Sequence, residues 1–375
     1  MKKIALINHS LGQGGVSKLI YDIALEYKRR GLNFSVISLT SYNDIYGKKL
    51  LEKNIDVIFL SNKDERYSIK NLFRLIKKLK PYDIVHANTF PSQIWTVCAS
   101  LFLSKKQYVL TEHATTNNRR KKSWFKYVDS WMYSRFDKII AVSDETNQSL
   151  KTWLNPSQKQ LSKFYVINNG INLKKYYEVP ALKRELINSS LSNENVLICM
   201  AARFSPPKDQ LTLIRSMIKL DEKYKLLLLG DGDKSKEIKL VNELKLNNQV
   251  YFLGYRLDAD KIIKSCDIAV LSTNFEGFGL VAVESMAMGI PTICSDVDGL
   301  RGVMSNGGLL FEKGNSTELA IKIKELIENQ KIYDDIAQKG ILKSQEYSLN
   351  KMVDEYLNVY NIDGKSTFQK ESSIG

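Results

Sequence analysis

Short apolar runs alternate with amphipathic stretches of helical period from one end of the chain to the other, the pattern of parallel sheets whose strands are joined by crossover helices. In the first half the strand candidates are Ile4 to Asn8, Phe34 to Leu39, Val57 to Leu60, Asp83 to Val85, Tyr108 to Thr111 and Lys138 to Val142. Helices fill the gaps, and Ser17 to Arg30, stopped by Gly31, is the clearest. The alternation restarts with Val196 to Ala201, Lys225 to Leu229, Val250 to Leu253, Ile268 to Leu271, Thr292 to Cys294 and Leu309 to Phe311. That restart predicts two doubly wound α/β domains, read as residues 1–170 and 196–345. The intervening 171–195 follows the turn Asn169-Gly170 and holds Pro180 and the polar run Asn188 to Asn195, which predicts a linker. From Thr317 to near Tyr360 the pattern is wholly helical. Residues 346–375 are read as a last helix, expected to pack back on the first domain, and a polar tail.

Composition changes little in this picture. A chain of 375 residues with 43% hydrophobic and 26% charged residues is ordinary for two globular domains. Ile4 to Ile7 is too short for a signal-peptide core. No window approaches the roughly 18 uninterrupted apolar residues of a membrane span. Cys98, Cys199, Cys266 and Cys294 are far apart, without a C-x-x-C pair, and read as free thiols in a reducing compartment. The expected location is therefore cytoplasmic. A net charge of +14 favours anionic partners: nucleic acid, lipid headgroups or phosphorylated ligands.

Candidate chemistry concentrates in the second half. The string Glu276-Gly277-Phe278-Gly279-Leu280-Val281-Ala282-Val283-Glu284 follows a strand and opens a helix running to about Gly289. Glycines there let the backbone approach a ligand, and the free amides and dipole of the helix start favour a diphosphate. Helical side chains lean toward the N-terminus, so Glu284 carries its carboxylate back toward that ligand. A carboxylate avoids phosphate, so Glu284 is expected on a ribose and Glu276 on a hexose. Arg203 and Lys208 flank Ser205-Pro206-Pro207 just after a strand, where two cations suit a diphosphate leaving group.

These residues carry a resemblance. An Arg and a Lys five apart, Gly230-Asp231-Gly232 after the next strand and two glutamates separated by seven residues resemble the donor domain of retaining glycosyltransferases of family four. The resemblance implies the GT-B fold, two Rossmann-like domains facing a cleft, and action without a metal or other cofactor on a nucleotide-diphosphate sugar. It implies that Arg203 and Lys208 hold the donor phosphates, that Glu276 contacts the transferred sugar and that Glu284 contacts the ribose. It also implies an acceptor hydroxyl docked on the N-terminal domain and retention of configuration. UDP is the expected donor nucleotide, and a glycan or lipid-linked acceptor of cell-surface polysaccharide synthesis is expected.

The first half is less legible. Gly12-Gln13-Gly14-Gly15 joins the first strand to the first helix, as a phosphate-approaching loop should, but lacks the third glycine and the acidic ribose partner of a dinucleotide fingerprint. In the family a similar loop, here Gly14 and Gly15, borders the cleft near the diphosphate. His9, His86 and His113, the three histidines of the chain, all fall at the carboxyl ends of predicted strands. In a sheet of order 3-2-1-4-5-6 those strands are neighbours, which would gather the rings on the ligand edge, and Asp231 of the second half is a further candidate for the cleft. Their spacing is not that of a helical zinc motif, and no acidic cluster accompanies them. By resemblance His113 is the cleft histidine beside the reacting bond. Arg119-Arg120-Lys121-Lys122, followed by Trp124, Phe125, Tyr127, Trp131 and Tyr133, suits an anionic membrane surface and equally a basic loop before a core helix. Two rivals share these features: a nucleotide-sugar 2-epimerase, and a nucleotide-sugar- or nucleic-acid-binding protein without catalysis. Of the anionic partners, nucleic acid is the least expected.

Overall fold

The computed structural model describes residues 2–42 and 44–362, so the expected polar tail lies outside the described residues. A seven-stranded sheet has the order β3-β2-β1-β4-β5-β6-β7, from β1 (Ile4–Ser10), β2 (Phe34–Thr40), β3 (Val57–Phe59), β4 (Ile84–Ala87), β5 (Gln107–Glu112), β6 (Lys138–Ala141) and β7 (Phe164–Val166). A six-stranded sheet has the order β10-β9-β8-β11-β12-β13, from β8 (Val196–Ala201), β9 (Tyr224–Leu229), β10 (Val250–Gly254), β11 (Ile268–Leu271), β12 (Thr292–Ser295) and β13 (Leu309–Phe311). Every pairing is parallel. This is the GT-B architecture of two Rossmann-like domains.

The strands are covered on both faces, which is why they read as unbroken apolar runs. Alternation within the first sheet separates two cores. Ala5, Ile7, Val85, Ala87 and Leu110 face one layer of helices. Ile4, Leu6, Ile84, Val109 and Ile140 face the other, which holds helix α1 (Gly15–Arg29) and the last helix, Leu349–Val359. There Leu19, Ile23 and Tyr27 of α1 pack with Met352, Val353 and Tyr356, and the Tyr27 hydroxyl donates to Tyr360 Oη at 3.2 Å. Residues 171–195 carry two short helices, Leu173–Tyr177 and Arg184–Ile187. Arg184 is tied to Asp267 of the second sheet's domain at 3.0 Å, and Ile171 bridges Ser348 just before the last helix.

One expectation fails on this alternation. His86 does end a strand, but the register Leu6, His86, Val109 puts its side chain on the face beneath the last helix, away from the cleft. The ring is fully buried, with Nδ1 2.5 Å from Tyr360 Oη and Nε2 2.6 Å from Thr111 Oγ1. Burial pushes its pKa down to about 3. His86 is a structural residue and leaves the list of cleft candidates. Among the described residues no helix is long and apolar enough to cross a membrane.

Candidate active site

The carboxyl edges of the two sheets face each other, and two helix starts meet between them. Gly14 precedes α1 with φ 141°, and Gly279 precedes helix Leu280–Ala287 with φ 81°. Neither glycine has a side chain to cap its helix, so the first-turn amides keep their donors and the positive dipole end stays open. The helices come close: a Cβ on Gly15 would lie 3.9 Å from Leu280 Cδ1. Arg203, after β8, reaches across the cleft so that Nη2 donates to Gln13 O and lies 3.2 Å from a Cβ placed on Gly14. Two uncapped helix starts and a guanidinium thus converge from both domains on one small volume, which is chemistry for an anion.

Lys208 and Glu276 are paired with each other, Nζ donating to Oε2. The loops that carry them are stitched together, with the Thr273 hydroxyl donating to Pro207 O at 2.8 Å and Asn274 N–H to the same oxygen at 2.7 Å. Both side chains keep about a fifth of their surface exposed to the cleft. The pair therefore offers a cation and a carboxylate side by side.

The loop at Gly277 rests directly on the N-terminal domain. A Cβ on Gly277 would fall 2.0 Å from His113 O. Thr115 Oγ1 donates to Glu276 O at 3.1 Å, and Thr146 Oγ1 to Gly277 O at 3.3 Å. These contacts set His113 beside Glu276. His113 Nε2 faces Asn88 Oδ1 at 3.3 Å, while Asn88 Nδ2 is committed to Ile7 O, so Oδ1 is the acceptor and Nε2 carries the proton. Nδ1 then presents a buried lone pair without a partner among the described residues. Burial holds the ring neutral, with its pKa near 3. A neutral imidazole with a free acceptor nitrogen can accept a hydrogen bond from a hydroxyl, while its depressed basicity keeps it from taking the proton itself.

Glu284 sits one turn into its helix and accepts from Lys18 Nζ of α1 at 2.6 Å. Lys18 also donates to the hydroxyl of Tyr176, from the short helix Leu173–Tyr177. Burial opposes the charge of Lys18, yet Glu284 and Tyr176 hold its pKa far above the usual lysine range. Asp22, one turn along α1, is pushed up to about 6 by burial, with Glu284 adding to the rise and Lys18 opposing it.

Two family descriptions match the chain, Glycosyltransferase Family 4 over residues 13–175 and Glycosyl transferases group 1 over residues 183–343. Both halves are glycosyltransferase domains. An uncharacterised glycosyltransferase of Methanocaldococcus jannaschii is 28% identical, over 92% of this chain and 94% of that protein. The N-acetylgalactosamine-N,N'-diacetylbacillosaminyl-diphospho-undecaprenol 4-alpha-N-acetylgalactosaminyltransferase of Campylobacter jejuni is 26% identical, over 95% and 99%. The crystal structure of Anabaena Alr3699/HepE in complex with UDP and glucose shares the fold at a TM-score of 0.85 and 22% identity, covering 96% of this chain and all of that one. Both sequence relatives are transferases, which does not favour the epimerase alternative.

The other candidates fall in different places within these glycosyltransferase domains. His9 ends β1 at the cleft, with Nδ1 2.6 Å from Thr89 Oγ1. Burial, aided by Arg66 and Arg203, lowers its pKa to about 4. Phe278 turns its ring inward, buried and edge-on to Tyr347 at 5.2 Å, so only its backbone reaches the donor loop. Leu280 is partly buried where the two helix starts meet. Asp231 is exposed, its carboxylate accepting from Gly232 N–H at 2.8 Å. The glycines beside it serve packing, since a Cβ on Gly230 would fall 2.1 Å from Ala202 O.

The basic-aromatic segment divides in two. Arg119 turns in to Asp129 at 3.3 Å and Arg120 to Thr115 O at 2.7 Å, while Tyr133 and Phe136 join the core. Lys121, Lys122, Trp124 and Tyr127 remain exposed, the last at 81%. Lys18, Tyr176, Asn88 and Thr89 are site residues that the sequence reading missed. The one signal for them was that Lys18 lies on the first turn after the glycine loop.

Proposed function

We propose that the chain is a retaining, metal-independent glycosyltransferase that moves a hexose or N-acetylhexosamine from a UDP-sugar to a glycan or lipid-linked acceptor of a cell-surface polysaccharide. The observation that carries this reading is the convergence of two uncapped helix starts with Arg203 and Lys208. It offers a diphosphate four sources of positive charge, from two domains, without a metal. The Campylobacter relative's name specifies a diphospho-undecaprenol substrate, and the Anabaena structure holds UDP and glucose, which supports a UDP-sugar and a lipid-linked acceptor here.

In this reading residues 196–345 form the donor domain, 1–170 the acceptor domain and 171–195 the linker, with the helix in 346–375 returning to the acceptor side. The backbone at Gly14, Gly15, Gly277, Phe278, Gly279 and Leu280 approaches the diphosphate with Arg203 and Lys208. Glu276 takes hydroxyls of the transferred sugar, His113 Nδ1 accepts another beside the reacting carbon, and Glu284 takes the ribose. His9 and Asp231 border the cleft. The bond from the anomeric carbon to the β-phosphate oxygen breaks as the acceptor oxygen attacks from the same face. The acceptor's proton passes to the departing phosphate, giving UDP and the new glycoside. The enzyme works in the cytoplasm, resting on the inner membrane face through Lys121, Lys122, Trp124 and Tyr127.

The test is a panel of UDP-, GDP- and ADP-sugars assayed for nucleotide release, with and without a glycosyl-diphospho-lipid acceptor and with EDTA. Acceptor-dependent release of UDP that survives EDTA is expected. Consumption of UDP-sugar to its 2-epimer without acceptor, or no consumption at all, would sink the reading.

A further inference from the structure

A cavity of about 400 Å³ opens at the carboxyl ends of β2 and β3, outside every residue assigned above to the donor. Its wall is the loop after β3, lined by Ser61, Lys63 and Glu65, with Arg74 from helix Lys70–Leu79, Ser41 after β2, and Phe59 at the end of β3. The loop is pinned from several sides. Ser41 N–H donates to Ser61 O at 2.8 Å, Thr40 Oγ1 to Lys63 O at 2.5 Å, Asn71 Nδ2 to Glu65 O at 2.7 Å, and Trp95 Nε1 to Arg66 O at 2.9 Å. A wall so fixed keeps its side chains aimed before any ligand arrives.

The side chains in it have bonding capacity to spare. Glu65 Oε2 accepts from the Ser61 hydroxyl at 3.0 Å and from Arg74 at 3.3 Å. Among the described residues, Glu65 Oε1 and Lys63 Nζ take no hydrogen bond within the protein. The Ser61 hydroxyl and Arg74 hold Glu65 below the usual carboxylate range, so it stays an acceptor at neutral pH. A carboxylate and hydroxyls suit the hydroxyls of a pyranose. Two cations against one carboxylate leave a net positive charge, which suits a phosphate attached to that sugar.

The same loop continues through Asp64 and Arg66, which lie close enough to His9 to act on its charge, as does Arg203 from the opposite domain. The strand order β3-β2-β1 therefore runs from the cavity to His9, and from there to the anion site.

We propose that this cavity is the acceptor subsite, taking a pyranose joined to a phosphate, with Glu65 and Ser61 on the sugar and Lys63 and Arg74 on the phosphate. The proposal rests on the transferase reading and names its acceptor class. A phosphate-linked sugar seated there directs its remaining hydroxyls along the sheet edge toward His9 and the donor.

The experiment is saturation-transfer NMR on the full chain with UDP at saturation, so that the donor site is filled. Probes are the 1-phosphates of glucose, galactose, N-acetylglucosamine and N-acetylgalactosamine. Calorimetric UDP titration of each variant serves as the control for folding and for the donor reading. At least one sugar phosphate is expected to show saturation, with affinity falling roughly tenfold in Lys63→Ala and in Arg74→Ala while UDP binding is unchanged. Absence of saturation from all four probes on a protein that binds UDP overturns the acceptor subsite, as does equal saturation in both variants. Failure of the wild-type protein to bind UDP would instead strike the transferase reading on which it rests.

Discussion

Lys18 and Glu284 meet across the cleft, the ammonium of α1 lying 2.6 Å from the carboxylate Oε1. The contact leaves Oε2 available while fixing the carboxylate's direction, and it ties a residue of the N-terminal domain to the proposed ribose subsite. Without Lys18, Glu284 would sit partly buried beside Asp22, whose carboxyl it already pushes toward protonation. Lys18→Met is therefore expected to weaken UDP binding roughly tenfold. Lys18→Arg should recover part of the loss. Calorimetric titration of UDP checks both, and undiminished affinity in Lys18→Met would remove Lys18 from the site.

Arg203 and Lys208 are expected to act mainly as charge accumulates on the leaving diphosphate. Arg203→Ala and Lys208→Ala should each lower kcat by about two to three orders of magnitude, with a smaller change in KM. Removing Lys208 also leaves Glu276 without its partner, so the double variant with Glu276→Gln should lose less than the two single losses combined. Steady-state kinetics on the four proteins measures this, and full turnover by either cation variant would contradict the diphosphate assignment.

Gly277→Ala separates sterics from chemistry, because it adds one methyl group and removes no functional group. That methyl would sit 2.0 Å from the carbonyl oxygen of His113, a backbone atom that no rotamer change can move. The Glu276–Gly277 loop must then back away from the N-terminal domain, taking Glu276 from His113. Activity should fall at least about a hundredfold, since displacements near 1 Å cost that much in a positioned site. UDP affinity, set largely by Arg203 and the helix starts, should fall far less. Equal losses in both would mean a general failure of the donor domain.

How much of this was legible in the sequence depends on what a periodicity can encode. β8, β11 and β13 lie where the apolar runs place them, because strands buried on both faces are written as unbroken hydrophobic stretches. β7, Phe164–Val166, was missed because it is a three-residue edge strand and only partly buried, so no long apolar run marks it. Motif spacing put Lys208 and Glu276 at the same sheet edge, but their pairing with each other depends on the stitching of two loops. His86 shows the limit of strand-end reasoning, since a shift of one residue decides which face of the sheet receives the ring. Lys18 pairs with a residue 266 positions away and with Tyr176, 158 positions away, and such contacts leave no local pattern.

His86 also links the buried core to pH. Its folded pKa, near 3, lies well below the unfolded value of 6.5, because burial under Tyr356 and Tyr360 disfavours the imidazolium. Between those values the unfolded chain binds the proton and the folded chain does not. The stability that neutral His86 supports is thus complete above about pH 6.5 and is lost progressively as pH falls toward 3. At pH 5 this amounts to about 2 kcal/mol for a single fully buried imidazole, from about 1.4 kcal/mol per pH unit. His9 and His113 are depressed in the same direction and should steepen the decline. Urea unfolding of the wild-type protein at pH 7.5 and pH 5 should therefore show a clear loss in acid. In His86→Gln stability should be lower at both pH values, but the difference between them should shrink by about 2 kcal/mol. A difference as large as that of the wild-type protein would show that His86 does not carry the acid sensitivity.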